Sequence, residues 1–214
     1  MKQRIRVAAM ALTLCAVMVL TTACGKKFDA SGYVKACLDL VTKNEQEDYM
    51  KLTERTAEQA EQDYQSNLDT IMSDFAALGI SDELQDKYRA FYADILKSTK
   101  YTVLEAKEDG DNFTVDVEVE QLTGVFNGVQ EELITAAQEY AAGLTEQPTN
   151  EEANEWTANK LYELLTERMS SSLAYNEKQT ITVHVQLNNK IYEIPQSDYD
   201  ALDAALIDIG DLGL

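Results

Sequence analysis

Between Phe113 and Glu120 the chain alternates strictly, with Phe113, Val115, Val117 and Val119 on one side and Thr114, Asp116, Glu118 and Glu120 on the other. A period of two over eight residues is a strand with one face buried and one in water. Such a strand needs neighbours, because an isolated hairpin is marginal in water. Tyr101–Lys107 is β-like, and Glu108-Asp109-Gly110-Asp111-Asn112 between the two runs reads as a hairpin loop. A second hairpin follows the same rule. Ile181, Val183, Val185 and Leu187 alternate with Thr182, His184 and Gln186, turn at Asn188-Asn189 and return through Ile191 to Ile194. Pro195 stops that strand.

The remaining segments carry helical spacing. Ser31 is placed to cap a helix over 32–43 with Val34, Cys37, Leu38 and Val41 inward. Asn44 with Glu47 predicts a capping box for a short helix through Leu52. A long helix is expected from Thr56 to Leu78, ended by Gly79-Ile80, and Ser81 opens the next, with Leu84, Tyr88, Phe91, Tyr92 and Ile95 on one face. Phe126, Val129, Leu133, Ala137, Tyr140 and Leu144 share a stripe that stops near Gly143 and Gln147-Pro148. Thr149 or Asn150 begins a helix to about Leu173 through Trp156, Leu161, Leu164, Leu165 and Met169, and Ser197 opens a last one with Tyr199, Leu202, Leu206 and Ile209.

These elements predict an α+β fold: helical hairpins packed on one face of an antiparallel sheet built from two β-hairpins, in the order ααααββααββα. With two prolines in the chain and no flexible linker between 31 and 209, residues 31–214 read as a single domain. The order helix pair, then hairpin, occurs twice, which would divide the domain into 31–122 and 123–214, although no residue-level repeat accompanies it.

The N-terminus belongs to a different logic. Lys2, Arg4 and Arg6 precede an apolar run of 14 residues, Val7 to Leu20, and small residues lead from there to Cys24. That is the order of a secretory signal, and the run is short of the ~20 apolar residues a spanning helix needs. Leu20-Thr21-Thr22-Ala23-Cys24 resembles a bacterial lipobox, with Thr21 where the motif usually carries Leu. The resemblance implies thiol acylation of Cys24 by diacylglycerol with palmitate-type chains, and cleavage between Ala23 and Cys24. Residues 1–23 would then be the lipoprotein signal peptide and 24–30 the lipidated cysteine with a short tether. The expected location is the cell membrane, lipid-anchored on its extracytoplasmic face. Two acyl chains suffice for stable anchoring where one does not. The lipobox, the helix ending near Lys43-Asn44 and the helices-then-hairpin order together resemble small Gram-positive lipoproteins of unknown function, some with cystatin-like or NTF2-like α+β domains.

Charge excludes one class of partner. Taking Lys2, Arg4 and Arg6 from 18 basic residues leaves 15 against 38 acidic, a net charge of −23 for the mature chain. Such a body repels nucleic acid, so no nucleic-acid partner is expected. The expected partners are the membrane, through the lipid, and a basic protein or cell-envelope component. With Cys15 in the leader and Cys24 acylated, Cys37 is left without a mate for a disulfide, and its apolar stripe predicts an inert buried thiol.

No residue pattern announces catalysis, a metal or a cofactor. His184 is the sole histidine and falls on the polar face of its strand, which excludes a multi-histidine zinc site. Asp109-Gly110-Asp111-Asn112 has its glycine at the wrong place for a calcium loop and reads as a turn. Asp116, Glu118 and Glu120 read as a solvated face that could alternatively meet cations or a basic partner. Tyr88, Phe91, Tyr92, Trp156 and Tyr162 read first as core, with an aromatic-lined groove as the alternative. The functional expectation is a non-enzymatic binding module. A carboxylate-dependent hydrolase of cell-wall or glycan material is the alternative, and a transporter-associated substrate-binding lipoprotein is third, disfavoured by length.

Overall fold

The computed structural model describes residues 17–18, 28–76 and 79–210, with backbone alone at 17–18 and 74–76. Ala23 and Cys24, the expected cleavage and acylation site, lie outside the described residues. The strands are β1 (Val17–Met18), β2 (Lys100–Asp109), β3 (Asn112–Glu120), β4 (Leu122–Thr123), β5 (Ala174–Tyr175), β6 (Gln179–Asn188) and β7 (Ile191–Glu193). The helices are α1 (Ala30–Lys43), α2 (Glu47–Thr53), α3 (Ala57–Ala76), α4 (Asp82–Lys97), α5 (Val129–Gly143), α6 (Asn150–Ser171) and α7 (Gln196–Leu206).

The two hairpins merge. β3 pairs with β2 on one side and β6 on the other, both antiparallel, giving the order β1-β7-β6-β3-β2. β1 comes from the run expected to be removed, so β7, β6, β3 and β2 are the strands that lie within the expected mature chain. Val115, Val117 and Val119 of β3 and Val183 and Val185 of β6 are fully buried on the inner face. Each such burial contributes about 1.5–3 kcal/mol. α1 and α7 lie on that face; α3 and α4 pack behind α1, α6 behind α4, and α5 against α6. Leu122 and Ile207 bridge in parallel, and a two-stranded sheet of β4 and β5, which the periodicity did not announce, ties the segment before α5 to the one after α6.

The ends of the elements differ from expectation for identifiable reasons. Asp29, not Ser31, caps α1, its carboxylate accepting from the Gly32 amide at 2.8 Å. Asn44 does not open α2; it closes α1 in the left-handed conformation at φ 56, while the Glu45 amide reaches back to the Asp39 carbonyl. Asn serves both jobs, and the sequence does not say which. Ser81 caps α4 as expected, and Thr149 with Glu152 completes a capping box on α6. Pro195 rather than Ser197 stands at the start of α7. α5 begins at Val129, leaving Phe126 buried in the preceding loop. The first hairpin turns on Gly110-Asp111 alone, since Asp109 and Asn112 already pair, and the second turns on Asn189-Lys190, one residue later than the expected pair.

Candidate functional site

α5 starts inside the core and leaves it. Val129 and Leu133 are buried, yet Ile134 is 50% and Leu144 36% exposed. On the outer part of the helix the Tyr140 ring stacks on Trp156 of α6, with centroids 4.2 Å apart and planes 9° from parallel. Around this pair lies an open cleft of about 650 Å³, lined by Tyr140, Leu144, Pro148, Ala153 and Trp156, with Glu146 as its only charged wall. Its size falls in the range of small-molecule sites, and Thr145, Gln147 and Thr157 add polar groups to the aromatic pair. On the other side of α6 a second hollow of about 620 Å³ runs from Gly79-Ile80-Ser81 to Glu151, Glu152 and Glu155, and Trp156 lines it as well.

The carboxylates beside Trp156 are tied down in their ionised form. Glu155 accepts from the Ser81 hydroxyl at 2.6 Å and the Ser81 amide at 2.8 Å, which lowers its pKa and clips α6 to the start of α4. The Thr149 amide and hydroxyl lower the pKa of Glu152 in the same way. Elsewhere, hydrogen bonds chiefly from Gln65, Lys87 and Lys107 lower Glu61, Glu83 and Asp116 respectively. The Asp39 carboxylate is likewise held below its ordinary value, by hydrogen bonds from Lys35, Lys43 and Tyr101 that outweigh its burial.

The other aromatics expected on these helices are core. Tyr88 meets Tyr162 edge-on at 5.5 Å and donates to the Ala158 carbonyl at 2.7 Å, and Phe91 touches both Tyr92 and Tyr162. Burial pushes the Tyr88 and Tyr92 hydroxyls above their ordinary range. Trp156 departs from this group because the helical stripe of α6 continues past the end of the body that α4 provides.

The outer sheet face is mixed rather than acidic. Lys107 bonds Asp116 at 2.7 Å, the Thr182 hydroxyl bonds the same carboxylate at 2.8 Å, and Lys178 bonds Glu118 at 2.9 Å. His184 is on this face, with Nδ1 2.9 Å from Oδ2 of Asp198, an oxygen that also accepts from the His184 amide at 2.6 Å. Asp198 thereby covers the β6 edge beyond the end of β7. Cys37 is buried, and the described residues contain no group of three or more His, Cys, Asp and Glu able to hold a metal ion.

One cluster escaped the sequence reading. Asp39, 4% exposed, accepts from Lys35, from Lys43 at 2.8 Å and from the Tyr101 hydroxyl at 2.6 Å. The signal was present as lysines four residues before and four after an acid inside an apolar helix face.

No protein-family model matches the chain, and no curated protein matches it. Among solved structures the chain is similar to ycdA from Bacillus subtilis subsp. subtilis str. 168, itself provisionally assigned as a lipoprotein. The TM-score is 0.59 at 14% identity, over 84% of this chain and 56% of that one. The likeness is one of fold, and this chain spans little more than half the length of that protein. The class defined by fold and likeness is therefore an α+β domain of the kind found in that lipoprotein-type protein. No helix among the described residues is long and apolar enough to cross a membrane.

Proposed function

We propose that this protein is a non-enzymatic binding module, held by diacylglyceryl Cys24 at the outer face of the cytoplasmic membrane, whose ligand enters the cleft between α5 and α6. The observation that carries the reading is the Tyr140–Trp156 stack in an open cleft of about 650 Å³ on a helical hairpin that leaves the core. The half-buried ring pair and the exposed Leu144 beside it make a partly apolar concavity, and such concavities in protein surfaces mark binding sites. The hydrogen bonds that hold Glu152 and Glu155 ionised beside the cleft fit a binding role, and the fold likeness to ycdA is consistent with an anchored one.

The chain contains a single tryptophan, so its fluorescence reports directly on this cleft. Low-molecular-weight fractions of the cell envelope, titrated into the purified protein, are expected to give a saturable change in emission that Tyr140→Ala abolishes. A flat titration with every fraction, or hydrolysis of wall polymer by the purified protein, overturns the reading. The anchor is tested separately. Intact mass of the membrane fraction should show a chain beginning at an acylated Cys24, and Cys24→Ala should lack that adduct; an unmodified wild-type Cys24 removes the anchor from the proposal.

A further inference from the structure

We infer that the end of the sheet carrying the β2–β3 and β6–β7 turns faces the lipid bilayer, with the opposite end held away from it; this rests on the reading that Cys24 carries the lipid, and adds the orientation of the anchored domain. The two turns, Gly110-Asp111 and Asn189-Lys190, lie at one end of the sheet. The Tyr192 hydroxyl donates to the Asp111 carbonyl at 3.3 Å, and the Asn112 side chain accepts from the Leu187 amide at 2.9 Å, so the two hairpin ends are bonded to each other. Phe28 is fixed at this same end. Its ring stacks on Tyr192 with centroids 4.1 Å apart and planes 17° from parallel, and it meets Phe113 at 6.0 Å and Tyr33 of α1 at 5.6 Å.

Chain length then limits where the lipid can be. Cys24 precedes Phe28 by four positions (28 − 24). An extended chain advances at most ~3.6 Å per residue, so the acylated residue lies within about 14 Å of Phe28. The chain on the other side of Cys24 meets the sheet at the same place, because before cleavage Val17 pairs with Tyr192 and Met18 with Ile191. A tether this short decides which end of the body lies next to the membrane. Charge decides where the rest goes. With 15 basic against 38 acidic residues once residues 1–23 are gone, the body is repelled by an anionic headgroup layer. Repulsion cannot lengthen four residues of chain, so it swings the far end of the sheet outward. Strand β6 gives the scale: its ten residues, Gln179 to Asn188, at ~3.3 Å each span about 30 Å.

The test uses the purified acylated protein in vesicles of phosphatidylcholine and phosphatidylglycerol that contain a nitroxide-headgroup lipid. A bimane label on Lys190→Cys reports the turn end, and one on Glu177→Cys, just before β6, reports the far end; both positions are exposed, whereas Cys37 is buried. Quenching at position 190 is expected to exceed that at 177 by about threefold or more, since the two lie at opposite ends of a strand about 30 Å long. Asp111→Cys, on the other hairpin, should match Lys190→Cys. Insertion of about twelve Gly-Ser residues between Lys27 and Phe28 frees the body to turn and should cut the difference to below about half. Equal quenching at the two ends, stronger quenching at 177, or a difference that survives the insertion overturns the orientation and leaves the anchor standing. A protein that lacks the acyl group and does not float with the vesicles overturns the anchor, and this inference with it.

Discussion

The Tyr101 hydroxyl donates to Oδ1 of Asp39 across 2.6 Å, joining the edge strand β2 to the helix that covers the sheet. Thr42 closes the cluster at 2.8 Å from the same hydroxyl. Burial would raise the Asp39 pKa, but the hydrogen bonds from Lys35, Lys43 and Tyr101 outweigh it and hold the carboxylate below its ordinary value. The same environment, burial first, pushes the Tyr101 hydroxyl up. Asp39→Ala leaves Tyr101 and two lysines without their acceptor and is expected to cost about 3 kcal/mol in urea unfolding. Tyr101→Phe should cost about 1 kcal/mol.

The same cluster sets a pH dependence. Because the folded pKa of Asp39 lies below the unfolded one, the unfolded chain binds the proton more tightly. The stabilisation is fully present above the unfolded value of about 4 and drains away as pH falls through it towards the folded value. Unfolding of wild type and Asp39→Asn between pH 7 and pH 3 should converge at the acid end; parallel curves would remove Asp39 as the source.

Asn67 is fully buried on α3, and neither its amide nitrogen nor its carbonyl oxygen has a hydrogen-bond partner. An unsatisfied buried amide costs about 1–3 kcal/mol, so Asn67→Leu, close in shape, is expected to stabilise by about that amount. A rise in Tm of several degrees is the readout; a fall would mean that the amide does hold a partner such as an ordered water.

The second hairpin turns on Asn189 and Lys190 at φ 50 and 66. Both central residues of such a turn require positive φ, which suits asparagine and strains lysine. Lys190→Gly should raise unfolding free energy by roughly 0.5–1 kcal/mol, and Asn189→Val should lower it.

Gly124, at φ +90, sits where an added Cβ would be 2.1 Å from the Ser172 carbonyl oxygen. Gly124→Ala must therefore separate β4 from β5, the strand pair at the base of the α5–α6 hairpin. A loss above about 2 kcal/mol is expected, along with altered Trp156 emission as the hairpin shifts.

Much of this architecture follows from local pattern. The valines of β3 and β6 alternate because a pleated strand presents successive residues to opposite faces, so the order of helices and hairpins and the buried sheet face were already determined by the sequence. The termini of α1, α2 and α7 were not, because Asp29, Ser31, Asn44 and Ser197 are all competent caps and only the packed chain chooses among them. The merging of the two hairpins joins Phe113–Val119 to Gln179–Val185 across 60 to 72 positions (179 − 119 and 185 − 113), a pairing that no local period encodes. The cleft lies beyond sequence for the same reason. Tyr140 and Trp156 stand in stripes indistinguishable from those of buried residues, yet they end half-buried beside an open cleft while Ile134 and Leu144 of the same helix hairpin are exposed. Periodicity records which side of an element is apolar, and tertiary packing decides where the cover stops.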